Sequence, residues 1–253
     1  MRLRNFAWGL GLVLTAFYLS WLGLAAVNFA YPLFYQPLGL EQNIETYGPR
    51  NSARPGFHLT SREERFRVFA GIAQAVRDDG NGLQELRYHD PQGRELGVLL
   101  IADEVLHLQD VARLVGVFER VGLVALIGWL ALSVWLWRRG AALPSVPAVL
   151  GGVALVLALG GLAVLVVGPT ALFYWLHEVM FPPDHPWFFY YEASLMSTMM
   201  RAPVLFGGIA ALWLALALMV VAILYALAWR LQARAAVLSE SRASSRSNRR
   251  SRR

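Results

Sequence analysis

The chain contains neither cysteine nor lysine. Without cysteine there is no disulfide, no thiolate metal site and no catalytic thiol, and every basic side chain is an arginine. Charge is scarce as well: 16% of the residues are charged, against about 25% in soluble domains. Several chemical signatures are also missing. There is no GxSxG elbow, no Walker phosphate loop, no HExxH helix and no GxGxxG followed by an acidic residue.

What the chain has instead is hydrophobic length. Of its 253 residues 57% are apolar, and the mean hydropathy is +0.44, which describes a multi-span membrane protein rather than a soluble core. The formal charge of +6 and pI near 10.0 suggest a nucleic-acid platform until the charges are located. Many of the arginines lie at the ends of apolar runs or in the last dozen residues, so a membrane topology signal explains them and no nucleic-acid partner is expected.

Four apolar runs, at about 6–27, 114–137, 146–167 and 204–229, approach or exceed the roughly 20 residues that cross a bilayer. The first follows Arg2 and Arg4. Ala25-Ala26-Val27 imitates a signal-peptide cleavage site, but the apolar run is longer than the roughly 7–15 residues of a signal peptide, so it is read as a retained span. Arginines at the N-terminus, at 138–139 and at 230 and 234 predict cytoplasmic N- and C-termini. The expected fold is therefore mainly α. It is a polytopic membrane protein with four transmembrane helices in one domain, 1–230, and a small extracytoplasmic α+β segment between spans one and two. A basic tail, 231–253, is expected to be disordered and drawn to anionic lipid. Gly9, Gly11 and the glycines at 151, 152, 160 and 161 read as helix-packing positions.

The outer segments are then 28–113 and 168–203. Between Asn28 and Asp110 twelve acids face eight arginines, a net charge of −4 opposite in sign to the whole chain. Tyr31-Pro32 and Pro37-Leu38-Gly39 predict irregular backbone at headgroup level. Ser61 with Glu64 three residues on is a capping box, and Phe66, Phe69, Ile72, Ala73 and Val76 continue it as a helix. Asp78 to Gly82 ends that helix, and 83–100 predicts a β-hairpin around Asp90-Pro91-Gln92-Gly93.

Chemistry concentrates in two places. Glu104, His107 and Asp110 recur at spacings of three, so on a helix they share a face. A carboxylate beside an imidazole fixes its tautomer and raises its basicity. The same triplet also fits a surface helix whose charges pair loosely with Arg113. In the aromatic stretch Thr170–Pro203, His177 lies between Phe173 and Phe181 at spacings of four, an ionisable group at membrane level. It also fits a histidine snorkelling to the interface beside Tyr174 and Trp175. A metal site from His107, Asp110 and His177 is chemically permissible, but no paired-ligand motif supports it. His58, His89 and His185 read as exposed loop residues, and Ser194 and Ser197 as hydroxyls without a partner base.

In order along the chain, these motifs resemble the bacterial lipoprotein intramolecular transacylase (Lit) family of four-span membrane proteins. The resemblance rests on His107 with Asp110-Val111, His177 with Phe181, then Trp187-Phe188, and Pro203 with Phe206, and extends to about Trp229. One departure is that the acidic residue of the family between that Trp and that Pro is Ser194 here; Glu192 is the nearby alternative.

The resemblance implies an enzyme of the bacterial cytoplasmic membrane acting on its extracytoplasmic face. It would move the sn-2 acyl chain of a diacylglyceryl-modified lipoprotein to the α-amino group of the N-terminal cysteine, giving the lyso-form. No metal or cofactor is implied, and lipoproteins and membrane lipids are the expected partners. His177 is assigned as the base. His107, oriented by Asp110, is assigned as oxyanion donor or proton shuttle, and the spacing allows the two roles to be exchanged. Glu104, Phe173, Phe181, Trp187 and Ser194 are expected to contact substrate. Two other readings remain: a non-catalytic membrane protein with an outer binding segment, and a related acyltransferase or lipid esterase with another acyl donor.

Overall fold

The computed structural model describes the backbone of residues 2–250 and the side chains of residues 3–234. Helix α1 (Arg2–Ala26) leads into a left-handed turn in which Asn28, Phe29 and Ala30 have φ of 50°, 52° and 57°, a conformation that L-residues rarely adopt. One helical turn, α2 (Tyr31–Phe34), and α3 (Leu40–Tyr47) follow, so the irregular backbone expected at 31–39 is partly helical. Helix α4 (Arg62–Arg77) starts where the capping box predicts, with Ser61 accepting from the Glu64 amide at 3.1 Å. It stops at a turn in which Asp79, Gly80 and Gly82 have positive φ. Strands β1 (Arg87–His89) and β2 (Glu95–Val98) form the antiparallel hairpin, Arg87 opposite Val98, with a bulge after Tyr88.

Four helices among the described residues are long and apolar enough to cross a membrane, as the sequence predicts. They are α1, α5 (Ala102–Arg138), α6 (Val146–Val167) and α9, which begins at Ala202 and runs to Arg250. Between the last two lie α7 (Pro169–Met180) and the single turn α8 (Leu195–Thr198). At about 1.5 Å per residue, the 37 residues of α5 far exceed a hydrocarbon core of about 30 Å. The apolar second half of α5 suffices to span, and its first turns are free to carry Glu104, His107 and Asp110. The chain is a multi-pass membrane protein. Most of the tail at 231–253 lies outside the residues whose side chains are described.

Two compact units emerge, one assembled from three stretches of chain and the other from two. One comprises residues 1–20, 121–161 and 214–253. Its core is Trp8, Leu12, Ala16, Trp129, Leu136 and Val221. The Trp8 indole donates to Ser133 Oγ at 2.9 Å and packs edge-on against Tyr225. A donor buried at membrane depth needs such a partner, because lipid supplies none. Glycines allow close approach here: a Cβ at Gly11 would lie 3.2 Å from that of Trp129, and one at Gly122 would collide with Tyr18.

The other unit comprises residues 21–120 and 162–213. The α4 face predicted from periodicity is present but rotated toward Arg65, Val68, Phe69, Ile72 and Ala75. Arg65 is buried because its guanidinium donates to Tyr35 Oη at 2.6 Å, the His58 carbonyl at 2.7 Å and Thr60 Oγ1 at 3.2 Å. Beside it Tyr31 stacks on Phe69, their ring centroids 4.0 Å apart. His89, expected to be exposed, is instead half-buried and bonded to Glu64.

Candidate active site

Every residue of the candidate site belongs to the second unit. His107 projects from the second turn of α5 and is 6% exposed. His177 comes from α7, which Gly168 and Pro169 start afresh after α6: the glycine takes φ 85° and the proline occupies the first turn. The two imidazole planes are 15° apart and their centroids 6.3 Å apart. Topology alone does not require that approach.

Aromatic rings surround the pair. Phe173 lies 4.0 Å, Trp187 5.0 Å and Phe181 5.3 Å from the His177 ring, while Phe181 also lies 4.8 Å from His107. Phe181 reaches both from just beyond α7, in extended backbone whose amide still donates to the His177 carbonyl. Phe189, which sequence spacing did not single out, lies 5.7 Å from His107. Its only sequence signal is its place among the aromatic residues after Trp187.

The tautomer of His177 follows from its surroundings. Its Nδ1 lies 2.8 Å from the Phe173 carbonyl. A carbonyl oxygen can only accept, so Nδ1 carries the hydrogen and Nε2 is left with a lone pair. That is the arrangement of a general base. His107 Nδ1 is buried with no hydrogen-bond partner among the described residues.

Asp110 makes its hydrogen bond and ion pair with groups other than His107. It is 4% exposed, but its Oδ2 meets His185 Nδ1 at 2.5 Å and its Oδ1 meets Arg113 at 2.9 Å. No hydrogen bond joins it to His107. Asp110 and His107 are three positions apart on the helix, and the carboxylate is occupied by a loop histidine instead. His185 itself, expected to be exposed, has a side chain only 21% accessible.

Glu104 and Ser194 are hydrogen-bonded to each other. Glu104 is fully buried, its Oε1 accepting from Ser194 Oγ at 2.5 Å and Met196 N at 3.0 Å, its Oε2 from Ile101 N at 2.8 Å. Ser194 also caps α8 by accepting from the Met196 amide. The pair therefore ties the start of α5 to the start of α8, and its polar atoms are already engaged. The carboxylate of Glu192 adds nothing to this network; its backbone carbonyl accepts from Ser52. Ser197 donates to the Phe189 carbonyl at 2.6 Å, and Thr198 donates to that of Tyr191 at 2.6 Å. Asn43 and Asn51 donate into the same segment from the α3 side. These bonds give a loop without regular secondary structure a defined course.

No group of three His, Cys, Asp or Glu side chains that could hold a metal occurs among the described residues. The arrangement has the parts for acid–base chemistry on a lipid-like substrate: two imidazoles, one with a directed lone pair, lined by aromatic rings.

No match was found among curated proteins. Solved structures of the membrane-integral lipoprotein intramolecular transacylase Lit from Bacillus cereus share the fold. One, a histidine-to-arginine variant, is 14% identical with a TM-score of 0.65, covering 94% of each chain. A second is 15% identical with a TM-score of 0.62, covering 94% of this chain and 97% of that one. A histidine-to-alanine variant is 16% identical with a TM-score of 0.61, covering 96% and 95% respectively. A family model described as lipoprotein intramolecular transacylase Lit matches residues 9–202, most of the chain. The chain belongs to the Lit family of lipoprotein intramolecular transacylases.

Proposed function

We propose that the protein moves the sn-2 acyl chain of a diacylglyceryl-modified lipoprotein to the α-amino group of that lipoprotein's N-terminal cysteine, on the extracytoplasmic face of the bacterial cytoplasmic membrane. Family membership supports lipoprotein acyl transfer. The observation that carries the chemistry is the near-parallel His107–His177 pair, with His177 Nδ1 tied to a carbonyl.

The reaction begins as the neutral amine attacks the sn-2 ester carbonyl carbon, Nε2 of His177 taking one proton from the nitrogen as the bond forms. A C–N bond forms and the carbonyl oxygen becomes an oxyanion, which His107 stabilises by donating a hydrogen bond. As the oxyanion collapses, the C–O bond to the glyceryl sn-2 oxygen breaks. The His177 imidazolium returns its proton to that oxygen, leaving an amide and a free hydroxyl. Amine and ester belong to one molecule, so holding them together accounts for much of the rate. The aromatic rings exclude water, which would otherwise hydrolyse the ester.

Ser194 bears on the rival with a different acyl donor. Its hydroxyl is spent on Glu104 in the interior, which supports a structural rather than a substrate-selecting meaning for this departure from the family pattern. The decisive experiment expresses the protein in a bacterium whose lipoproteins stop at the diacylglyceryl stage and reads a lipoprotein N-terminus by mass spectrometry. An N-acylated lyso-form, absent from His107→Ala and His177→Ala variants at equal membrane levels, is expected. Unchanged diacylglyceryl lipoprotein with well-expressed wild type would remove this reading.

A further inference from the structure

Asp110 and His185 join two parts of the unit that the reaction needs in register. Asp110 stands one turn after His107 on α5. His185 stands in the irregular loop between α7 and α8, with Phe181 before it and Trp187 and Phe189 after it. Those three rings pack on the two imidazoles. The His185 Nδ1 to Asp110 Oδ2 contact of 2.5 Å is made at a carboxylate that is 4% exposed, where water competes poorly for either partner. The other bonds that hold this loop, from Ser197, Thr198, Asn43 and Asn51, gather at or beyond residue 189. Among these side-chain bonds, the first half of the loop depends on His185.

We propose that Asp110 and His185 form a clasp that sets the 181–189 loop against His107, making His185 a positioning residue for the transacylation. The proposal rests on the function given above, but it concerns a different element of the site. In this arrangement Asp110 serves His107 indirectly, by holding the aromatic wall that faces it rather than by orienting its ring. The pair carries no proton in the reaction.

Two substitutions test this in the purified full-length protein. His185→Ala removes the bond. His185→Asn retains it, since the amide nitrogen of asparagine reaches the place of Nδ1. His185→Ala is expected to raise deuterium exchange of amides in 181–189 and to lower kcat/KM by about 10- to 100-fold, the scale of a misplaced reactive geometry. His185→Asn should stay within about threefold of wild type, as a positioning contact allows, with an unchanged pH profile. Unchanged exchange in His185→Ala would overturn the clasp. An Asn variant as inactive as the Ala variant, with its loop still protected, would overturn it in favour of proton transfer by His185. Should the wild type fail to acylate lipoprotein while the exchange difference persists, the clasp stands and the assigned function falls.

Discussion

His177 reaches back four residues to donate from Nδ1 to the carbonyl of Phe173 at 2.8 Å. This bond assigns the proton on the imidazole, and with it the nitrogen that can act as a base. An asparagine at 177 retains an amide donor for the same carbonyl but offers no basic nitrogen. His177→Asn should therefore leave folding intact and lower transfer by about 10²- to 10⁴-fold, the usual worth of a positioned base. Near-normal N-acylation by this variant in the mass-spectrometric assay would exclude His177 as the base.

The two imidazoles are expected to act as a unit. Replacing both by alanine should cost little more than replacing the worse one, because the surviving group has no partner to work with. Rate constants measured on the two single variants and the double variant decide this. Strictly additive losses would mean that the rings act independently.

Phe189 supplies a wall of the site that spacing did not reveal. Phe189→Ala should reduce kcat/KM by about tenfold, equivalent to about 1.4 kcal/mol of transition-state stabilisation, with little change in thermal stability. A large drop in stability at unchanged kcat/KM would make Phe189 a packing residue only.

Glu104 and Ser194 should register in stability. Ser194→Ala takes one donor from a fully buried carboxylate, a loss of about 1–3 kcal/mol. Glu104→Ala leaves the Ile101 amide and the Ser194 hydroxyl without their acceptor and should cost more. Chemical denaturation in detergent measures both. Activity per folded molecule should hold in Ser194→Ala, and a selective loss of kcat there would return Ser194 to the substrate.

Acid lability has an identifiable contributor. Burial pushes the Glu64 carboxyl up, but hydrogen bonds from Arg67 and from the side chain and backbone of His89 outweigh it and hold the pKa down to about 2, from an ordinary 4.5. A carboxyl depressed on folding contributes stability that is complete above its unfolded value and is lost as the pH falls through the folded one. The Tm of wild type should fall more steeply than that of Glu64→Gln between about pH 4.5 and pH 2, the two curves converging at the acid end. Parallel curves would show that the cluster adds nothing.

Much of this protein is determined by local sequence. The four spans are legible because crossing lipid demands a long apolar run, whatever the partners. Ser61, the Asp78–Gly82 turn and the Asp90–Gly93 hairpin are legible because caps and turns depend on a few neighbouring residues. The order of motifs around His107 and His177 likewise points to the family. Tertiary structure alone decided which groups meet. Asp110 binds His185 rather than His107, Glu104 binds Ser194, Arg65 is buried with its guanidinium on Tyr35, and Phe189 joins the site. A carboxylate on a helix has several potential partners within reach. The one it takes depends on how the rest of the chain packs around it, and no spacing along the helix records that.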